Sequence, residues 1–365
     1  MRLRTLLLLS FLPAVSSFAA TAVFVPAANP AIVVEGRSQA TPAGAVRLGF
    51  PGVTLHLHYH GSALAMRLNA SSDEAFFDVI VDHGAATCLR MQSGEHDYPI
   101  LHESAPADHV IDICRRTESW EGVCTVIGFD LGPDGSLLPP PPLPARKFLF
   151  IGDSITCGAN ADYSTNDPPA TRTQHNTQWC NAQVSFGKVL ARKLDAQCQL
   201  VSYGGRGVTR DWQGLTNLCN APQFYKLALP DDPSATWDPQ RYVPDVIGLC
   251  LGANDFNQGV PDEQAFVSTY VHFVTEVRRD APQARIFLLE CPLFGDDPRP
   301  HSSRTILRTY LEETIRRLGD PRVTLAPVSY VPGNPADHHP TRADHAVIAA
   351  QIEPLFRQAL TDAHP

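Results

Sequence analysis

The chain has 365 residues, 44% of them hydrophobic, and a formal net charge of −9. That length is sufficient for two domains with separate cores. An acidic chain without a basic run is a poor partner for nucleic acid or anionic membrane, and both classes are set aside.

The first twenty residues, MRLRTLLLLSFLPAVSSFAA, read as a secretory signal peptide (1–20). Arg2 and Arg4 form the positive end, LLLLSFLPAV the apolar centre, and SFA ending at Ala19 the small-residue cleavage site. The apolar run is short for a membrane span, although an uncleaved anchor is the rival reading. A secreted or periplasmic protein is expected, with no membrane contact after cleavage and a balance of −11 once Arg2 and Arg4 are gone. Export permits disulfides, and nine is an odd number of cysteines. Cys114/Cys124 and Cys157/Cys180 are candidate bridges by locality alone, so connectivity stays open. Cys250 and Cys291 lie in apolar runs and read as buried thiols. The lack of a CxxC pair argues against structural zinc.

Residues 21–136 read as all-β. AVRLGF, VTLHLHYHG, ALAMRLNA, AFFDVIVDHG and HVIDICRRT are short, often alternating segments separated by turn residues. A jelly-roll or β-sandwich domain is expected. His56, His58 and His60 share one strand face, which reads as a polar face in preference to a metal site. LLPPPPLP then marks a proline-rich linker at 137–145, because consecutive prolines stop helices and central strands.

From 146 to 365 strands alternate with helices. RKFLFIGDS, CQLVSYGG, DVIGLCLGAND, ARIFLLECP and RVTLAPV are apolar runs. Helical spacing follows in QVSFGKVLARKLDA, in about Asp262–Arg279 and Arg304–Leu318, and in a last helix over Thr341–Leu360. This predicts a three-layer α/β/α domain with a flavodoxin-like parallel sheet. Sites in such sheets lie at the carboxyl ends of strands, which singles out four loops. Ser154 in GDSITCG opens a helix, where free amides favour developing negative charge, although a serine there can be only a cap. Thr156 replaces the second glycine of a GxSxG elbow, so that motif is absent. YGGRGVTRDW offers glycine amides, GANDF offers the Asn254 side-chain amide, and NPADHHPTRADHA offers His338, His339 and His345 as bases. Four weak signals at four strand ends make up the parts of an acyl-transfer site.

On these four blocks the chain resembles the GDSL/SGNH hydrolases, over Arg146 to Leu360. With GDSITCG, GGRGV, GANDF, DHHPT and a preceding β-domain, it resembles more closely the family-two carbohydrate esterases. The resemblance implies a jelly roll joined to an SGNH domain that deacetylates plant cell-wall polysaccharide, xylan and glucomannan both being open. It implies Ser154 as nucleophile and His339, which Pro340 follows, as base. The Ser154 and Gly205 N–H groups and the Asn254 amide become oxyanion donors, with Gly207 the alternative glycine. The superfamily pattern D-x-x-H-P is broken, since Asp337 stands two residues before His339. Either Asp337 orients the imidazole, or a backbone carbonyl does, His338 being the candidate. Asp153 is read as shaping the turn, His345 as a packing residue in the first turn of the last helix, and His338 as exposed or cleft-lining. Trp179, in a long polar loop after the nucleophile, is a candidate sugar platform or a loop anchor. No cofactor or metal is required, and a monomer acting on an acetylated polysaccharide or oligosaccharide is expected. A GDSL-type lipase or thioesterase, and a carbohydrate-binding protein with a decayed site, are the competing readings.

Overall fold

The computed structural model describes residues 23–140, 142–166, 176–295 and 303–363. The proposed signal peptide, Pro141 of the linker and the middle of the loop after Ser154 lie outside the described residues. Strands β1 (Phe24–Pro26), β2 (Ile32–Glu35), β3 (Ser38–Ala40), β4 (Val46–Leu48), β5 (Thr54–Ala70), β6 (Phe76–Val81), β7 (Thr87–Arg90), β8 (Gly94–Arg115), β9 (Cys124–Asp130) and β10 (Ser136–Leu137) form one antiparallel sheet. Its main path is β3-β4-β9-β5-β8-β6-β7.

VTLHLHYHG and ALAMRLNA, read as two strands, are one strand, β5. Along it Leu55, Leu57, Tyr59, Leu64, Met66 and Leu68 are buried, and the intervening histidines lie on the other face. The strand is irregular at Gly61, whose φ is 150° and where a Cβ would stand 2.1 Å from Tyr59 Oη. On one side of that point β5 pairs with β2 and β10, and beyond it with β9, which curls the sheet around its apolar face. Residues 103–106 of β8 bulge opposite Ser62, so Pro106 sits where no ladder N–H is needed. That bulge hides the length of β8 in the sequence, where only its last third reads as a strand.

The three histidines have separate partners. His56 lies between Glu35 and Asp112, His58 Nδ1 donates to Pro139 O at 3.0 Å, and His60 Nδ1 is 2.6 Å from Asp108 Oδ1.

The second sheet is parallel, in the order β12-β11-β13-β14-β15. Its strands are β11 (Arg146–Gly152), β12 (Ala196–Ser202), β13 (Val246–Cys250), β14 (Arg285–Leu289) and β15 (Val323–Ala326). The helices are α1 (Ser154–Cys157), α2 (Phe186–Lys193), α3 (Ala221–Phe224), α4 (Ala253–Phe256), α5 (Glu263–Asp280), α6 (Ser303–Leu318) and α7 (Arg342–Ala363). Helices α2 and α7 pack together, as do α5 and α6, and these pairs are the outer layers of the α/β/α domain. Phe356 of α7 lies across Phe148, Phe150 and Phe287, each about 5 Å away between ring centres. The chain leaves β11 toward β12 on one side and returns to β13 on the other. The crevice where the order reverses is where ligands of such sheets bind.

Among the described residues no two cysteines form a disulfide, so neither Cys114/Cys124 nor Cys157/Cys180 is a bridge. Cys157 Sγ lies 3.2 Å from Ser202 Oγ, and Cys180 Sγ 3.3 Å from Glu121 Oε1, so each points at a different partner. Neighbouring positions in the sequence did not bring the sulfurs together. Cys250 and Cys291 are buried. Among the described residues no helix is long and apolar enough to cross a membrane.

Candidate active site

The site is built at the ends of β11, β12 and β13. Gly152 ends β11 so close to α1 that a Cβ would stand 2.0 Å from Thr156 Oγ1. Asp153 caps α1, its Oδ1 accepting from Ile155 N at 3.0 Å, and Ser154 is the first helical residue, half-buried. Burial pushes the Asp153 carboxyl up to about 7, against the pull of the Ile155 N–H and of His339.

His339 Nε2 is 2.8 Å from Ser154 Oγ. Its Nδ1 is 2.9 Å from Asp337 Oδ2, but off the line of a good N–H hydrogen bond, so this is a close contact with imperfect aim. The two-residue spacing works because the segment is a turn. His338 is exposed with φ 64°, and His339 N donates back to Asp337 Oδ1 at 3.2 Å. Asn334, fully buried, organises the loop: its Oδ1 accepts from the Ala336 and Asp337 amides, and its Nδ2 donates to Asp337 Oδ1 and His339 O. Asn160 Nδ2 donates to Asp337 Oδ2 at 2.6 Å. Neither asparagine was singled out in the sequence; the Asn-Pro pair at 334–335 was the available turn signal.

Arg206 N donates to Tyr203 O at 3.3 Å, closing a turn over Tyr203–Arg206, with Gly205 at φ 74° in its third position. A positive φ there is the type II geometry that favours glycine. Gly205 lines the cleft beneath Trp212, whereas Gly207 is buried against Asp255 and does not. Asn254, in the first turn of α4, donates from Nδ2 to Arg206 O at 3.0 Å and to Asp153 Oδ2 at 3.2 Å. Ser154, Gly205, Asn254, Asp337 and His339 all line one cleft of about 750 Å³.

Of the two readings of Trp179, the structure fits the loop anchor and not the sugar platform. It is 3% exposed, packs edge-on against Tyr163 at 5.0 Å and does not line the cleft. The indoles that do are Trp120 of the β-domain and Trp212, each about half exposed. His345 is fully buried, stacked on Phe186, and its Nδ1 accepts from Phe186 N at 3.2 Å. Among the described residues no group of three potential ligands could hold a metal ion.

A profile described as carbohydrate esterase 2 N-terminal matches residues 34–141, and one for the GDSL-like lipase/acylhydrolase family matches residues 150–365. An acetylxylan esterase / glucomannan deacetylase of Cellvibrio japonicus (strain Ueda107) is 36% identical over 337 residues, 92% of this chain and 91% of that protein. The structure of a family two carbohydrate esterase from Cellvibrio japonicus aligns with a TM-score of 0.87 and 35% identity, covering 93% of this chain and 98% of that one. That of a family two carbohydrate esterase from Clostridium thermocellum in complex with cellohexaose aligns with a TM-score of 0.82 and 26% identity, covering 90% and 99%. The chain therefore belongs to the GDSL-like acylhydrolases with a carbohydrate esterase 2 N-terminal domain, and is a serine carboxylic ester hydrolase of carbohydrate esterase family two.

Proposed function

We propose that the protein is an exported O-acetyl esterase of plant cell-wall polysaccharide, xylan or glucomannan, acting through a Ser154 acyl-enzyme. The observation that carries this reading is the chain from Asp337 through His339 to Ser154, with contacts of 2.9 and 2.8 Å, at the wall of a cleft bearing two exposed indoles. Similarity to an acetylxylan esterase / glucomannan deacetylase supports the substrate class.

Ser154 Oγ attacks the acetyl carbonyl as its proton passes to His339 Nε2. Asp337 steadies the imidazolium, and the collapsing tetrahedral intermediate takes the proton on the departing sugar oxygen. Water then repeats the sequence and releases acetate. The oxyanion is held by the Ser154 and Gly205 N–H groups and by Asn254 Nδ2. Both Asn254 amide protons are engaged in the free enzyme, so the oxyanion displaces the longer contact, to Asp153. Trp120 and Trp212 offer apolar faces on which sugar rings stack.

Acetate release from acetylated xylan and acetylated glucomannan, compared with hydrolysis of long-chain aryl esters, tests this. The expected result is acetate from at least one polymer and a preference for acetyl over long acyl esters. A preference for long acyl chains with no acetate from either polymer would replace it with the lipase reading.

A further inference from the structure

Residues 115–121, RRTESWE, end β8 and cross from the β-domain to the catalytic cleft. The stretch is rigid on its own side. Arg115, fully buried, donates from Nε to Thr117 O at 2.8 Å and from Nη2 to Glu118 O at 2.7 Å. Glu121 Oε2 accepts the Glu118 amide at 2.6 Å in a capping box. It is also tied to the hydrolase domain. Arg116 bonds Asp162 at 2.8 Å and Cys180 O at 3.0 Å, and its carbonyl accepts from Ala182 N.

Glu118 stands at the tip, 2% exposed and lining the cleft. Its Oε2 accepts the Gly204 N–H, and Gly204 approaches so closely that a Cβ would stand 2.7 Å from Oε1. Gly204 is the second residue of the turn whose third residue is Gly205. The Cys157 thiol of α1, three residues after Ser154, lies against the same carboxylate.

We propose that Glu118, supplied by the β-domain, is a positioning residue for the oxyanion turn of the catalytic domain. By holding the Gly204 N–H it fixes the 203–206 turn, and so the direction of the Gly205 N–H beside Ser154. The β-domain is then part of the catalytic unit, not an appended module. This inference rests on the esterase reading above.

Two substitutions separate an acceptor held at the right reach from the mere presence of a carboxyl group. Glu118→Gln keeps the side-chain length and a carbonyl acceptor. Glu118→Asp keeps the carboxyl group but withdraws the acceptor by about 1.5 Å, one C–C bond. In the full chain, with unfolding transitions recorded to count only folded enzyme, Glu118→Gln should hold kcat on an aryl acetate within about threefold. Glu118→Asp should lose kcat by about 10²-fold at nearly unchanged KM, the loss typical of one misplaced oxyanion donor. Overturning results are Glu118→Asp equal to or faster than Glu118→Gln, or a loss confined to KM. Ser154→Ala runs in the same assay. If it stays active, the esterase reading itself has failed; if it is inactive and the Gln/Asp order is reversed, only the role of Glu118 has.

Discussion

Asp337 is held on both oxygens before it meets the imidazole. Asn334 donates to Oδ1 at 2.8 Å and Asn160 to Oδ2 at 2.6 Å, which leaves the carboxylate little freedom to swing away from His339 Nδ1. Held in this way, the acid is aimed at the imidazole whose positive charge it stabilises during the reaction. Asp337→Ala should therefore lower kcat by about 10³- to 10⁴-fold, the size seen when a triad acid is disabled. A fall of less than about tenfold, measured on an aryl acetate, would assign the imidazole to a backbone carbonyl instead.

At the scale of single elements, the first turn of α7 carries both a cap and an acid-sensitive residue. Thr341 caps the helix, exchanging hydrogen bonds with Asp344 three residues on. His345 follows, and burial pushes its imidazole down to about 3. Its Nδ1 accepts from Phe186 N, so the ring is neutral with its proton on Nε2. The stability tied to this neutral ring is whole above 6.5, the ordinary value, and is lost as pH falls toward 3. Between about pH 7 and pH 5 the loss is about 2 kcal/mol. Asp153 works in the opposite sense, since its raised pKa makes stability fall as pH rises from 3.8 to about 7. Comparison with a variant that keeps Asp153 isolates the histidine. Tm of His345→Gln, which retains an acceptor for Phe186, should fall less than that of wild type over this pH interval. Parallel falls would contradict the assignment.

The same elements show what was legible beforehand. The parallel strands and their helices could be read because they are buried on both faces, so apolar runs and helical periods stand out. The loops that carry Ser154, Asn254 and His339 could be located because strand ends are where such folds place chemistry, whereas the choice of His339 among three histidines rested on the family resemblance and the proline that follows it. Less visible were features set by contacts between distant segments. The full length of β8 is masked by exposed residues and a bulge at 103–106. Trp179 and Trp212 are equally aromatic in sequence, and only packing buries the first and leaves the second in the cleft. Asn160 reaches Asp337 across 177 positions, a pairing no local pattern announces.

Over the whole molecule, the two sheets are joined by buried charge as well as by the stretch at 115–121. Glu35, at the end of β2, accepts from Cys198 N on edge strand β12 at 2.6 Å and pairs with Lys188 of α2 at 3.3 Å. It also lies 3.1 Å from His56 Nε2, whose other nitrogen is 2.7 Å from Asp112. Burial works against ionisation of both groups. For Glu35 it is outweighed by Lys188 and His56, which hold the carboxyl down to about 2. For His56 it is outweighed by hydrogen bonds to Asp112 and Glu35, which raise the imidazole to about 9. The histidine's contribution is thus complete below 6.5 and disappears as pH rises through about 9. His56→Gln should be less stable than wild type near neutrality, and the gap in Tm should narrow at about pH 9.5. A gap that stays constant would mean that His56 is not charged in the folded protein. The central claim is that Ser154 is the nucleophile of a polysaccharide deacetylase, and acetate release from acetylated xylan and glucomannan by wild type beside Ser154→Ala tests it most directly. Wild type should release acetate, and Ser154→Ala, folded and with an unchanged Tm, should be slower by about 10⁴-fold or more; a variant that keeps near-wild-type release would contradict the assignment of Ser154.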